Sequence, residues 1–173
     1  MPKNWDSVLV DSIKSGWLTT GPIVNEFESQ LSFNLGFKNI VAVNSCTGAL
    51  HLALAAKGFA NGDKFLAPTY TFVASVGCGE YLGMEPILID CERNNFHLDL
   101  NQVEEILKKD SSIKAIIPVH FGGSMINMEN LFKLAEKFNI FILEDAAHLI
   151  GAQKHDNIYD YKNHAKAYSF YAN

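Results

Sequence analysis

The stretch that most constrains the fold is residues 140–152, IFILEDAAHLIGA, in which an apolar run leads directly into two acids. The run does not alternate between apolar and polar residues, which predicts a strand buried on both faces of a parallel sheet. Glu144 and Asp145 then lie at its carboxyl end, where open α/β sheets bind ligands. A carboxylate there is costly unless a cation or strong donor meets it, so we expect Asp145 to face a positive group, with His148 nearby. The alternative is a carboxylate that only caps the next turn.

Strand and helix patterns alternate along the rest of the chain. This alternation predicts an α/β fold with a mostly parallel sheet flanked by helices. Helices are predicted over residues 5–14, 23–35, 47–57, 71–82, 100–109 and 128–138, and strands over residues 39–43, 63–67, 86–90, 113–119, 140–143 and 166–170.

Composition excludes several classes of protein. The formal net charge of −5 argues against nucleic acid or an anionic membrane as the main partner. No apolar run approaches the roughly 20 residues needed to span a bilayer, and the first residues lack the apolar core of a signal peptide. The three cysteines show no CxxC spacing, which favours a reducing compartment over a disulfide framework or a zinc site. We therefore expect a soluble cytoplasmic protein without a metal.

The segment VNSCTGALHLAL joins a predicted strand to a predicted helix. Asn44 and Ser45 are good residues to cap a helix, and the free N–H groups of a helix N-terminus can bind phosphate. Gly48 would let the backbone approach a ligand closely. A helix that is simply capped explains the same pattern.

Two further loops carry side chains suited to a ligand. In APTYTFVAS, Phe72 could stack on a flat ring, although packing in the core explains it equally well. In AYSFYAN, Ser169 could donate a hydrogen bond to a phosphate, or bond to neighbouring backbone. Together the loops offer a phosphate cradle, a stacking aromatic, a buried acid with a nearby histidine, and a hydroxyl donor. Pyridoxal 5′-phosphate (PLP) would use all of them, with Asp145 keeping its ring nitrogen protonated.

These residues resemble the N-terminal part of a DegT/DnrJ/EryC1/StrS nucleotide-sugar aminotransferase, a family with the type I PLP aminotransferase fold. Six segments match in order: WLTTGPIVNEFE, VNSCTGALHLAL, APTYTFVAS, AIIPVHFGG, EDAAHLIGA and YSFYAN. The resemblance implies that residues 1–173 are the N-terminal segment and most of the PLP-binding large domain, with the C-terminal small domain absent from this chain.

The resemblance also implies roles at matched positions. Asp145 would pair with the pyridinium nitrogen, His148 would bond the phenolic oxygen, and Phe72 would stack on the ring. Phosphate would receive the N–H groups of Cys46 and Thr47, the Thr47 hydroxyl and the Ser169 hydroxyl. The remaining expected contacts are Thr20 and Gly21 beside the sugar nucleotide, and His120 and Phe121 lining the same cleft.

The chain departs from the family pattern at several positions. Gly48 stands where alanine is usual, and Gly122 replaces the common tyrosine after PVHF. Residues 153–166 lack the usual Gly-rich hairpin. The Schiff-base lysine, which follows SFYAN in relatives, is expected immediately after Asn173. Lys166 is eight positions too early for that role and is interpreted as an exposed surface charge.

The leading functional prediction is a PLP-dependent aminotransferase that moves an amino group from glutamate to a nucleotide-linked keto-deoxysugar. By resemblance it would act as a homodimer in the biosynthesis of surface polysaccharide or another glycan. A sugar 3-dehydratase of the same fold would carry histidine in place of the lysine. If the chain is truly truncated at Asn173, it is an inactive fragment or a pseudoenzyme that binds sugar nucleotides.

Overall fold

A computed structural model describes residues 5–151 and 162–171 of the chain. The chain divides into two compact units, Met1–Ala42 and Val43–Asn173. Predictions that fall on residues 152–161 lie outside the described residues, and this includes most of the segment that lacks the family's hairpin.

The first unit contains two helices, α1 (Trp5–Lys14) and α2 (Pro22–Leu35). Pro22 stands in the first turn of α2, where its missing N–H costs nothing. Gly36 ends α2 in the left-handed conformation, and its N–H bonds to the Ser32 carbonyl. Both helices predicted for this part of the chain are confirmed.

The second unit contains a five-stranded sheet in which every neighbouring pair is parallel. The spatial order is β2-β1-β3-β4-β5. Pro86 is tolerated because its strand, β2, lies at the edge of the sheet. In chain order the strands are β1 (Lys64–Pro68), β2 (Glu85–Ile89), β3 (Ile113–Ile116), β4 (Phe141–Ala146) and β5 (His164–Tyr168).

Among residues 43–151 and 162–171, four α-helices accompany the sheet: α3 (Cys46–Ala56), α4 (Ala74–Glu80), α5 (Leu100–Lys109) and α6 (Met128–Phe138). Three of them begin at a side chain that accepts a backbone N–H of the first turn, the arrangement that polar N-cap residues favour. The caps are Ser45 for α3, Asp99 for α5 and Asn127 for α6.

Alternation along the strands divides the buried apolar side chains into two cores, one on each face of the sheet. On β4, Ile142 joins the core that contains the apolar faces of α5 and α6. Its neighbours Phe141 and Leu143 join the core that contains Leu50 of α3 and Cys78 of α4. The predicted fold class, a mostly parallel sheet flanked by helices, is confirmed.

The strand predicted over residues 39–43 is wrong. A strand requires a hydrogen-bonded neighbour, and in the described residues this segment joins no ladder. The Ala42 N–H instead donates to the Glu28 carboxylate at 2.7 Å. An apolar segment such as NIVAV satisfies a strand's composition without supplying its partner.

Other boundaries differ by several residues. The helix predicted from Thr71 begins at Ala74, after a turn through Thr69–Val73. The strand predicted to reach Val119 ends at Ile116, close to Pro118, which has no N–H to give to a ladder. The last strand begins at His164, two residues before its predicted start.

The strand order creates a point at which the chain reverses direction across the sheet. From β1 the chain moves outward to β2, and it then returns to β3 on the other side of β1. The loops after β1 and β3 therefore leave in opposite directions and open a crevice at their carboxyl ends, where doubly wound sheets bind ligands. The Asp145 end of β4 lies beside it, since Asp145 N donates to the Pro118 carbonyl at 2.9 Å.

Among the helices in the described part of the chain, none is both long and apolar enough to cross a bilayer.

The packing of α4 on β1 generates a stability prediction. A methyl group at Gly79 would lie 2.5 Å from the ring of the buried Phe65, so Gly79→Ala should destabilise the protein by about 1–3 kcal/mol through overpacking. At Gly77 in the same helix, the nearest atom would lie 3.9 Å away, so Gly77→Ala should be neutral or gain up to about 1 kcal/mol. Urea unfolding of the two variants checks this, and equal free energies of unfolding would contradict the packing argument.

Candidate active site

The alternation of β4 places its two acids on opposite faces of the sheet. Asp145 follows Leu143 on the face that packs against α3 and α4, whereas Glu144 follows Ile142 on the face of α5 and α6. Both side chains are almost completely buried. The two consecutive carboxylates therefore have different surroundings, and the burial of each negative charge must be offset by its own partners.

Asp145 is compensated by hydrogen bonds alone. Its carboxylate accepts from the Ser75 hydroxyl at 2.6 Å and from the Ala147 N–H at 3.1 Å. Asp145 is 5% exposed, and no cation among the described residues lies within ion-pair distance of it. A buried carboxylate with donors but no counter-ion is suited to receive a cation from a ligand.

Glu144 has a cation of its own. Lys166 lies opposite it in the β4–β5 register, and the Lys166 Nζ is 2.9 Å from the carboxylate. The side chain of Lys166 is only 9% exposed. The interpretation of Lys166 as an exposed charge is therefore wrong, because a neighbouring strand supplies a buried acid that sequence spacing alone does not reveal.

Two histidines complete the surroundings of Glu144. The His120 Nε2 lies 2.6 Å from one carboxylate oxygen, and His164 bonds to the other. The His120 Nδ1 accepts the Ile126 N–H at 3.4 Å, so Nε2 carries the proton and donates it to Glu144. His120, expected to line the ligand cleft, instead binds this buried acid.

These partners set the protonation of the acid. Burial by itself would raise the pKa of Glu144, but hydrogen bonds from His120 and His164 and the charge of Lys166 hold it well below its usual range. The same negative charge, together with burial, raises the pKa of Tyr168 to about 12. Glu144 therefore stays ionised and belongs to the structural core.

The N-terminus of α3 has the form that the sequence predicted for a phosphate cradle. Ser45 accepts the Gly48 N–H at 3.0 Å, while the N–H groups of Cys46 and Thr47 have no bonding partner among the described residues. A methyl group at Gly48 would lie 2.9 Å from the Asn44 side-chain oxygen, so alanine at this position would require that side chain to shift. Two free donors at the positive end of a helix suit an anion.

The cysteine of this cradle is neutral. Burial raises the pKa of the Cys46 thiol to about 12, with a further contribution from the Asp145 charge. The thiol of Cys78 in α4 is raised to about 12 by the same two causes. A protonated Cys46 would add no negative charge beside a bound phosphate.

His148 lies at the surface beyond the end of β4. Its Nδ1 accepts the Gly122 N–H at 3.2 Å, so its Nε2 carries the proton and is available as a donor. Gly122 has φ +59°, a left-handed conformation that favours glycine. His148 and Ser169 line one open depression, whose remaining walls are Gly122, Ala147, Ile150 and Tyr171.

The structure decides between the alternatives for Phe72 and leaves both open for Ser169. Phe72 is 74% exposed and follows β1, so it is not a core residue. The Ser169 oxygen accepts the Tyr171 N–H at 3.2 Å, the local bond that the sequence allowed, but its own proton remains available to a ligand.

Three further expected contacts, those of Phe121, Thr20 and Gly21, stay predictions. Phe121 packs against the rings of Tyr70, Phe96 and His148 at centroid distances of 4.9, 5.8 and 6.2 Å. Thr20 and Gly21 belong to the first unit, immediately before α2, and Gly21 lies against the Trp17 ring. Their contact with a sugar nucleotide stays a prediction.

No group of three or more histidine, cysteine, aspartate or glutamate side chains in residues 5–151 and 162–171 is arranged to bind a metal ion.

A profile of aminotransferase sequences matches residues 3–173. The chain belongs to the DegT/DnrJ/EryC1/StrS aminotransferase family.

Named relatives agree with this family. SpsC of Bacillus subtilis strain 168, a spore coat polysaccharide biosynthesis protein, is 36% identical over 95% of this chain and 42% of its own length. The UDP-4-amino-4-deoxy-L-arabinose–oxoglutarate aminotransferase of Shewanella sediminis is 33% identical over 85% of this chain and 37% of its own length. The chain therefore spans less than half the length of these curated relatives.

Solved structures share the fold. The PLP form of the proposed sugar aminotransferase Spr1654 of Streptococcus pneumoniae superposes with a TM-score of 0.87 at 29% identity, over 99% of this chain and 47% of that one. DesV of S. venezuelae gives a TM-score of 0.85 at 28% identity, over 96% and 44% of the two chains. Another structural relative, from Bacillus subtilis, was solved with the amine form of the cofactor, PMP.

Sequence reasoning missed Ser75, Lys166 and His164 as partners of the two acids. Ser75 ends the segment APTYTFVAS, in which only the aromatic ring of Phe72 was predicted to contact a ligand. Lys166 and His164 have the spacing of one face of a strand, and this period-two pattern is a signal that could have paired them with Glu144.

The ion pair of Glu144 and Lys166 generates a prediction. Lys166→Met should lower the free energy of unfolding by about 3–5 kcal/mol, because it leaves a buried carboxylate without its cation. Lys108→Met, which breaks an ion pair with Glu104 on the exposed surface, should cost less than about 1 kcal/mol. Denaturant unfolding of both variants measures the difference. Similar decreases in the free energy of unfolding would show that the buried ion pair stabilises the protein no more than the exposed one.

The lowered pKa of Glu144 generates a second prediction. Because the folded pKa lies below the ordinary value of about 4.3, the unfolded chain binds the proton first as pH falls. The stability that ionised Glu144 contributes is complete above about pH 5 and is lost at lower pH. The stability difference between the wild type and Glu144→Gln should therefore shrink between about pH 5 and pH 3. A difference that stays constant over this range would contradict the assignment, and Glu105→Gln at an exposed position controls for the substitution itself.

Proposed function

We propose that this chain is the cofactor-binding part of a PLP-dependent aminotransferase that transfers an amino group from glutamate to a nucleotide-linked keto-deoxysugar. The protein acts in the cytoplasm as a homodimer, in the biosynthesis of a surface polysaccharide or other glycan. In this proposal, residues 1–173 form the N-terminal segment and most of the large domain.

The observation that carries the proposal is the buried Asp145 carboxylate, which has two donors and no cation among the described residues. A protonated pyridine nitrogen is the cation that such a site fits, because it brings one charge and one N–H to an acid that needs both. Glu144 is the internal comparison, since it has the same burial and already has Lys166. The residues present therefore fit the cofactor of the family's solved structures.

Other residues fit the remaining parts of the cofactor. The Cys46 and Thr47 N–H groups at the start of α3 would receive its phosphate, with hydroxyls from Thr47 and Ser169. The exposed ring of Phe72 would cover one face of the pyridine ring. His148, whose Nδ1 is already bonded to Gly122, would donate its Nε2 proton to the phenolic oxygen.

When bound, PLP supplies an electron sink for bond breaking at the carbon that carries the amino group. The chain's own contribution is to hold charge and orientation. Asp145 would keep the proton on the ring nitrogen, and His148 would stabilise negative charge on the ring oxygen. The acid–base step is assigned to a lysine that the family pattern places after Asn173. Thr20 and Gly21 would contact the sugar nucleotide.

The names of two relatives support the substrate and the pathway. One relative takes part in spore coat polysaccharide biosynthesis. The other is named as an aminotransferase that acts between UDP-4-amino-4-deoxy-L-arabinose and oxoglutarate, the keto acid formed from glutamate. Transfer by the present protein would follow the same chemistry.

A sugar 3-dehydratase is the second candidate, and the residue that follows Asn173 separates the two. Full-length natural polypeptide with PLP should release at most one equivalent of oxoglutarate per site from glutamate alone, and should release it in repeated turnovers only when a nucleotide-linked keto-sugar is also present. Loss of water from the sugar without transfer of nitrogen would show the dehydratase. Binding of sugar nucleotide without either reaction would show a pseudoenzyme.

The Asp145 assignment generates a prediction that requires no turnover. Asp145→Asn keeps the size of the side chain and removes the charge, so it should weaken binding of PLP or PMP on the order of a hundredfold, the equivalent of breaking a buried ion pair. Asp99→Asn, at the N-cap of α5, is the matched control and should leave affinity unchanged. Fluorescence titration measures both, and wild-type affinity in Asp145→Asn would rule out the proposed role.

A further inference from the structure

Ser75 has the shortest contact that Asp145 makes among the described residues. Its Oγ lies 2.6 Å from one oxygen of the Asp145 carboxylate, 70 positions away in the chain. Ser75 is fully buried in α4, and the sheet residue it contacts is on the face that packs against α3 and α4. The bond therefore links the helix to the acid at the end of β4.

Buried polar side chains are rare in the described part of the chain, and most of them bond to one another in pairs. Five are buried in the described part of the chain: Ser75, His97, His120, Glu144 and Asp145. Four of these form the bonds His120–Glu144 and Ser75–Asp145. A buried hydroxyl is costly unless it is bonded, so a serine at position 75 requires the carboxylate as much as the carboxylate requires the donor.

A second hydroxyl continues the chain of hydrogen bonds. The Thr71 Oγ1 lies 2.8 Å from the Ser75 Oγ. Because Ser75 gives its only proton to the carboxylate, it must accept the proton of Thr71. The order of donation is Thr71 to Ser75 to Asp145, and hydrogen bonds in such a series strengthen one another.

This series fixes one side of the carboxylate. The Ala147 N–H bonds to the other oxygen, so the two donors together determine the plane of the carboxylate before any ligand binds. An acid that is already oriented does not lose rotational freedom when a cation binds to it. Thr71 is next to Phe72, so the same turn carries the outer hydroxyl and the ring assigned to the cofactor face.

We propose that Ser75, supported by Thr71, is a positioning residue that orients Asp145 for the ring nitrogen of the cofactor. This inference rests on the proposed function, because it assigns to Ser75 an effect that acts only through Asp145. Ser75 itself touches neither cofactor nor substrate.

A double-mutant cycle tests the inference, with binding of pyridoxamine 5′-phosphate to full-length natural polypeptide as the measurement. Ser75→Ala should weaken binding about tenfold, because Asp145 loses its orienting donor. Asp145→Ala should weaken it on the order of a hundredfold. The double variant should bind within about twofold of Asp145→Ala, since an effect transmitted by Asp145 disappears with it.

The cycle separates failure of the inference from failure of the proposed function. If Asp145→Ala binds as tightly as the wild type, the proposed function is wrong. Two outcomes would overturn the positioning role while the proposed function stands, and in both of them Asp145→Ala loses affinity for the cofactor. In the first, Ser75→Ala does not weaken binding. In the second, Ser75→Ala weakens binding equally in the wild type and in the Asp145→Ala variant.

Two further variants control for folding. Cys78→Ala removes another buried side chain of α4 that does not bond to the Asp145 carboxylate, and it should bind pyridoxamine 5′-phosphate within about twofold of the wild type. Thr71→Val removes the outer hydroxyl at a half-buried position, so it is measurable even if Ser75→Ala does not fold. Thr71→Val should weaken binding of pyridoxamine 5′-phosphate about threefold, and this effect should be absent when Asp145 is also replaced by alanine. A loss that persists there would overturn the inference.

Discussion

Burial of two consecutive carboxylates at the end of β4 is the constraint on which the rest of the second unit depends. A buried charge is tolerated only with a counter-ion or a full set of donors, and β4 uses one solution on each face. Glu144 is neutralised from within the protein by Lys166 on the next strand, with His120 and His164 as donors. Asp145 receives donors only, and its charge remains available to a ligand.

The groups around Glu144 and the Asp145 site are connected by a hydrogen bond and by strand pairing. His120 bonds to the Glu144 side chain, while its backbone N–H donates to the Asp145 carbonyl at 3.1 Å. The register that pairs Glu144 with Lys166 also pairs Asp145 with Ala167, so the ion pair on one face holds the strands that carry the site on the other. The ion pair therefore also fixes the end of β4, beside the point where the strand order reverses.

Much of the fold was predictable because it follows from periodicity. The helices 5–14, 100–109 and 128–138 agree with the structure at both ends, and the apolar run before Glu144 identified β4. Residues 39–43 failed because a strand depends on a partner that composition does not supply. Asp145, His148 and the start of α3 could be predicted as candidate site residues because each lies at or near the end of a regular element. Lys166 was misinterpreted and Ser75 was missed because their partners lie on other elements. Glu144 is 22 positions from Lys166, and Asp145 is 70 positions from Ser75, so the local sequence pattern shows neither contact.

The most direct test of this account is the structure of the full-length protein with pyridoxamine 5′-phosphate bound. The account predicts that the pyridine nitrogen lies within about 3 Å of the Asp145 carboxylate, the distance of a charge-assisted hydrogen bond, with Ser75 still bonded to the same side chain. The phosphate should then lie at the Cys46 and Thr47 N–H groups. A ring nitrogen that contacts water or another residue, with Asp145 facing no cation, would contradict the central claim.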